Sequence, residues 1–226
     1  MNKHQLRLPA LLSAAIVAGL CLIPSVASAY TGTMSVGAGL LGSGNWFVNG
    51  PTSITWNVNQ NTDNSWNYSY DFSHPVSATS HFIIEVSDSF TRNDIFGEWG
   101  DFSCIEIGDH AVQSGNPNMP ETIYGIKFDE SNLENSHFEF NSFRVPVWGD
   151  FFAKGGNAGG HGVNTAWNAG FTLNDFDPIA PPADHPYMNH LLVPDTQSAP
   201  QIPEPTTLAL LGLCACGYLV IRRRLG

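Results

Sequence analysis

Cysteine and basic residues are scarce in this sequence. Of the four cysteines, Cys21 lies in an apolar N-terminal run and Cys214 and Cys216 in an apolar C-terminal one, which leaves Cys104 alone between them. No intrachain disulfide can form in that middle region, so a hydrophobic core has to hold its fold. Over residues 30–221 the only bases are Arg92, Lys127, Arg144 and Lys154, against all 20 acidic residues, a formal charge of −16 beside −11 for the whole chain. A surface of that sign repels nucleic acid and anionic lipid, which removes both as partners of the region. It suits solubility or divalent cations. Also lacking is any sustained apolar stripe at the 3.6-residue period between Tyr30 and Pro200, which argues against a helical domain. No Gly-x-Ser-x-Gly elbow occurs, so the commonest serine-hydrolase signature is missing.

The two ends carry addresses. Residues 1–7 include Lys3 and Arg7 and no acid, residues 8–23 are mostly Leu, Ala, Ile and Val, and Ala27 and Ala29 supply the small side chains a signal peptidase needs. Residues 1–29 therefore read as a signal peptide, with Tyr30 as the mature N-terminus. At the other end, Pro203-Glu204-Pro205 precedes 16 uncharged residues, 206–221, and then Arg222, Arg223 and Arg224. That apolar run spans roughly 24 Å as a helix, and the arginines lengthen it by snorkelling. Basic residues on one side only place the C-terminus in the cytoplasm. The reading is one transmembrane helix. A buried core helix is the alternative, but such a helix rarely begins at Pro-x-Pro and ends the chain in three arginines.

This order of Pro-Glu-Pro, apolar segment and arginine cluster resembles the PEP-CTERM sorting signal of Gram-negative bacteria. The resemblance covers residues 202–226 and implies an exosortase that recognises Pro203, Glu204 and Pro205 and cleaves near them. It further implies export across the inner membrane, a transient single-pass anchor, and a final place on the cell surface or outside it. Proteins with such tails are typically exported by bacteria that make exopolysaccharide and biofilm.

Between the ends, short β-rich runs are separated by Pro, Gly and Asn/Asp clusters. Ile54, Trp56 and Val58 alternate with polar residues, as do Trp66, Tyr68, Tyr70 and Phe72, the period of a half-buried strand. Further strands are expected around residues 81–86, 102–107, 123–128, 137–143 and 166–171, whereas the Gly- and Ser-rich residues 30–50 read as a loop or a loose edge. The pattern is that of an all-β exported domain over residues 30–178, an antiparallel β-sandwich or jelly roll. Residues 179–201, with five prolines, read as a spacer.

Few residues in the domain suggest chemistry. Cys104 with His110 has the composition of a nucleophile and base, but the apolar alternation around Cys104 reads more simply as a buried, inert thiol. Asp184, His185 and His190 have metal-capable side chains in a proline-rich stretch that offers no rigid frame for zinc. Asp175 and Asp177, after Asn174, alternate hard oxygen ligands as structural calcium requires. Asp88, Asn93 and Asp94 form a second such group. Neither follows the EF-hand loop, and solvated turns are the plainer account. Trp66, Tyr68 and Tyr70 are the best candidates for an exposed aromatic row that stacks on sugar rings; an inward row is simply core. With so little chemistry in the domain, the resemblance of the tail implies a non-enzymatic surface or matrix protein associated with exopolysaccharide. The alternatives are a carbohydrate-binding module and, third, a secreted hydrolase.

Overall fold

Where side chains alternate, strands form, and three of them build the first layer. A computed structural model describes residues 29–113, 115–129, 135–157, 159–172 and 188–194. In β3 (Ser53–Gln60), β4 (Trp66–Ser73) and β9 (Asn135–Ser142), every second residue is buried, save Gln60 at the end of β3. They pair antiparallel with Trp56 opposite Tyr70 and Tyr70 opposite Phe138, so the aromatic rows coincide on one face. β1 (Ala29–Val36) extends this layer beside β3, and the edge strand β6 (Phe96–Gly100) extends it beside β9. The second layer contains β2 (Gly39–Ser43), β5 (Thr79–Glu85), β7 (Cys104–His110), β8 (Ile123–Asp129), β11 (Phe151–Asn157) and β12 (Val163–Asn168).

Both layers belong to one curled sheet of 11 strands in the order β6-β9-β4-β3-β1-β2-β12-β11-β5-β8-β7. Every pairing is antiparallel except the short parallel contact of β1 with β2. There the chain steps sideways and resumes the same direction through Gly37 and Gly39, at φ 81° and 84°, a region that L side chains enter at a cost. The two outermost strands, β6 and β7, are joined by residues 101–103 alone. Asp101 N donates to His137 O at 2.7 Å and Ser103 N to Asp129 O at 2.9 Å, which ties the two edges together. The layers meet through rings. Phe82 of β5 stacks on Phe138 of β9 at 4.7 Å, and Phe72 packs edge-on against Phe151 at 6.4 Å. The expected β-sandwich-like, antiparallel-rich architecture is the one observed.

A two-stranded ribbon, β10 (Pro146–Gly149) with β13 (Leu191–Pro194), packs into this core, and all eight of its residues are buried. Trp148 meets Trp56 edge-on at 6.5 Å, and the Tyr70 hydroxyl donates to Leu192 O at 2.8 Å. The expected spacer 179–201 therefore contains a core strand, and the domain reaches at least Pro194. Leu191, Leu192 and Val193 supply the apolar surface. Pro146 and Pro194 face each other at the ribbon's end, where a missing N–H costs least.

Residues 30–50 are also a correction. They form β1, β2 and one helical turn, α1 (Asn45–Val48), and bury Met34, Leu40 and Trp46. Gly32 belongs in β1 because the Trp56 indole lies on its backbone: a Cβ there would stand 2.1 Å from Trp56 Cζ2. Ala29, the expected last residue of the signal peptide, pairs with Asn59 at the start of β1. Ala27 and the rest of that segment lie outside the described residues, as does the expected helix over residues 206–221. Among the described residues no helix is long and apolar enough to cross a membrane.

Candidate functional site

The outward side of the first layer is a continuous polar field. Register places Thr31, Asn57, Ser69, Glu139 and Trp99 in one cross-strand row, and Thr33, Thr55, Asp71 and His137 in the next. Neighbouring strands lie about 4.8 Å apart and alternate residues about 6.8 Å apart. The side chains are bonded laterally. Thr33 Oγ1 and Thr55 Oγ1 are 2.9 Å apart, and Asn67 Nδ2 donates to Glu139 Oε1 at 3.0 Å. His137 Nδ1 lies 2.8 Å from Asp71 Oδ1 and His137 Nε2 3.2 Å from Glu139 Oε2. Partial burial works against the charged imidazole, but the hydrogen bonds and charges of Asp71 and Glu139 outweigh it, so His137 titrates above its ordinary value.

Trp99 stands at the margin of this field, 66% exposed. Trp46, Trp56, Trp66 and Trp148 are all buried. Its place follows from the edge strand: the pairing of β6 with β9 is irregular between Phe96 and Trp99, and Gly97 there adopts φ 61°. A bulge of this kind re-aims side chains at a sheet edge. Trp99 meets the His137 ring edge-on at 4.9 Å. Phe96 and Phe143, with ring centres 5.4 Å apart, add partly exposed aromatic surface nearby. An open indole face beside fixed carboxylate, imidazole and amide groups has the chemistry to take a sugar. Its C–H face stacks on the ring, and its hydroxyls meet donors and acceptors.

The row expected to do this is core. Trp66, Tyr68 and Tyr70 point inward, 7%, 0% and 0% exposed. Their polar tips did not require water: the Tyr68 hydroxyl donates to Arg144 O at 2.7 Å, as that of Tyr70 does to Leu192 O. Trp66 stacks on Tyr30 at 5.7 Å. Trp99 escaped sequence reasoning because the bulge in Phe96-Gly97-Glu98-Trp99 breaks the two-residue period.

Cys104 is exposed, against the expectation of a buried thiol. Local desolvation, then the hydrogen bond and charge of Asp129, raise its pKa and leave it a poor nucleophile. His110 is six residues along the same strand, about 20 Å away, and its Nε2 lies 3.2 Å from Gly125 O. The two do not form a dyad. His190 is buried against Asp150. Asp94 accepts from Thr91 and pairs with Arg144 Nε at 3.0 Å, so its carboxylate is occupied by the protein's own groups. Asp175, Asp177, Asp184 and His185 lie outside the described residues. Among the described residues no cluster of three or more His, Cys, Asp or Glu side chains has the geometry for a metal ion.

Residues 201–224 match the family model described as the PEP-CTERM protein-sorting motif. The chain carries a PEP-CTERM sorting tail. The match includes Pro203, Glu204, Pro205 and the three terminal arginines, all outside the described residues. A PEP-CTERM tail marks an exported protein destined for the cell surface and processed by an exosortase. Neither the curated proteins nor the solved structures compared with the chain contain a match.

Proposed function

We propose that this PEP-CTERM protein is a non-enzymatic surface or matrix protein that holds extracellular polysaccharide through the outward face of its first layer. The observation that carries the reading is Trp99, a single exposed indole set against a hydrogen-bonded polar sheet. An open tryptophan forgoes about 25 cal/mol for each Å² of apolar surface it could have buried, and exposed apolar groups rimmed by polar ones mark interaction sites. The formal charge of −16 over residues 30–221 disfavours polyanionic chains, so the glycan is neutral. Signal peptidase releases the N-terminus after Ala29. Residues 206–221 and Arg222–Arg224 hold the chain in the inner membrane with the C-terminus inside, until exosortase acts at Pro203-Glu204-Pro205.

Affinity electrophoresis of the full-length chain in mild detergent tests this against the host's own exopolysaccharide and a neutral glucan. Wild-type protein is retarded by at least one of them. Trp99→Ala keeps the native near-ultraviolet spectrum, since the side chain is largely exposed, and loses roughly tenfold or more in affinity. Unchanged retardation of Trp99→Ala, or none for the wild type, overturns the proposal.

A further inference from the structure

A second site lies on the outward side of the other layer. Between strands β5, β7, β8 and β11 and the turn carrying Asn116 is a cavity of about 340 Å³, within the range of small-molecule sites. Lys127 and Lys154 line it. These are two of the four basic residues in residues 30–221, in a region that carries 20 acids. The other two have structural partners, Arg92 with Glu98 and Arg144 with Asp94. Lys127 is occupied, at 2.9 Å from Asp129 and 3.4 Å from Glu106. Lys154 has no ion pair among the described residues.

His81 sits beside Lys154 across the β5–β11 pair and is 5% exposed. The Asn116 side chain hydrogen-bonds the ring in the sense that raises its pKa, as an acceptor does, and Nε2 has no partner among the described residues, so Asn116 Oδ1 accepts from Nδ1–H. His81 Nε2 then carries a lone pair, and among the described residues no partner is present for it. Burial first, then the charges of Lys127 and Lys154, hold this imidazole neutral down to about pH 4.

The lining selects its ligand. Carboxylates only accept, lysine only donates, and His81 Nε2 needs a donor. Inorganic phosphate offers too few donors and would meet the carboxylates of Glu106 and Asp129 in the lining. A ligand with adjacent hydroxyls and no net charge satisfies every group, because each hydroxyl both donates and accepts. We infer that this cavity binds one neutral, polyhydroxylated unit of monosaccharide size, as a free sugar or as the end of a chain, with Lys154 donating to one hydroxyl and His81 Nε2 and Glu106 accepting from others. The site is independent of the Trp99 face and lies on the opposite layer.

Isothermal titration of the full-length chain in detergent tests it, with D-glucose, D-galactose and D-mannose, their short oligosaccharides, and inorganic phosphate as probes. At least one neutral sugar saturates one site, and Lys154→Met and Glu106→Gln each weaken it about tenfold or more. Both positions are at least partly open to solvent, so near-ultraviolet spectra stay native. Equal affinity for monosaccharide and oligosaccharide identifies a free-sugar site, and preference for the oligosaccharide a chain-end site; either supports the inference. Trp99→Ala leaves this binding unchanged, which keeps the two sites distinguishable. Saturable phosphate binding in place of sugar, sugar binding indifferent to both cavity substitutions, or no saturable heat with any sugar overturns it.

Discussion

His190 Nδ1 lies 2.9 Å from Asp150 Oδ1, and both side chains are buried. Asp150 sits at the corner between β10 and β11, and His190 immediately precedes β13. Asn168 Nδ2 donates to the same carboxylate oxygen at 2.5 Å and to Asn189 O at 3.0 Å, while Asn168 Oδ1 accepts from Phe151 N. This polar knot fixes where the returning chain enters the core. Removing the Asp150 carboxylate leaves His190 Nδ1 and Asn168 Nδ2 buried without this acceptor, at about 1–3 kcal/mol for each group left unsatisfied. Asp150→Ala therefore lowers the melting temperature by roughly 10 °C for a domain of this size. A loss under about 1 kcal/mol in urea titration would remove the knot's anchoring role.

Leu192→Ala tests β13 as core. A spacer would tolerate the change, but Leu192 is 0% exposed and belongs to the main hydrophobic cluster. The expected cost is about 2–5 kcal/mol, read as a shift in denaturation midpoint with unchanged slope. A shift within about 0.5 kcal/mol would return the segment to the status of a linker.

Legibility in the sequence followed locality. β3, β4, β8 and β9 were readable because two-residue alternation is written along each strand. Alternation names two faces, however, and does not say which is inside. Trp66, Tyr68 and Tyr70 went inward because backbone carbonyls of Arg144 and Leu192, distant in sequence, wait there for two of them. β1 was obscured by Gly32, whose missing side chain is replaced by the Trp56 indole. β13 was obscured by flanking prolines and its four-residue length. The cavity joins His81, Asn116 and Lys154 from three separate segments, and no spacing rule links them. The sorting tail was readable because its three parts are contiguous.

Gly32→Val examines the neighbour's indole directly. The added carbons meet Trp56 Cζ2, Cε2 and Cη2, the ring carbons nearest an added Cβ. Overpacking of this kind costs about 1–3 kcal/mol, and Trp56 emission should shift as the ring moves. A variant with wild-type stability would mean that β1 does not press on Trp56.

Glu204→Ala addresses sorting alone. Glu204 lies in the matched motif, ten residues past the end of β13, so the domain's melting temperature is expected to stay at the wild-type value. The full-length chain is expected to accumulate in the membrane fraction. Equal release of variant and wild type would remove Pro203-Glu204-Pro205 from the recognition step.

Acid destabilises this fold through its buried imidazoles. His74, stacked on Trp46 at 4.3 Å, and His81 are both brought from 6.5 to about 4, chiefly by burial. His110 moves in the same direction for the same reason. The unfolded chain takes up protons near pH 6.5 that the folded chain refuses, so the stability these residues confer is complete above 6.5 and declines as the pH falls toward 4. Between pH 7 and 5, His74 and His81 each account for a loss of about 2 kcal/mol. His137 has the opposite sign: its bonds to Asp71 and Glu139 contribute fully below 6.5 and fade as the pH rises through its elevated pKa. That pair is open to solvent, so its share stays below about 1 kcal/mol. The net expectation is a urea midpoint that drops clearly from pH 7 to pH 5, with a shallower drop in His74→Phe, whose side chain takes up no proton. A midpoint constant over that interval would mean that these imidazoles protonate in the folded chain as readily as in the unfolded one.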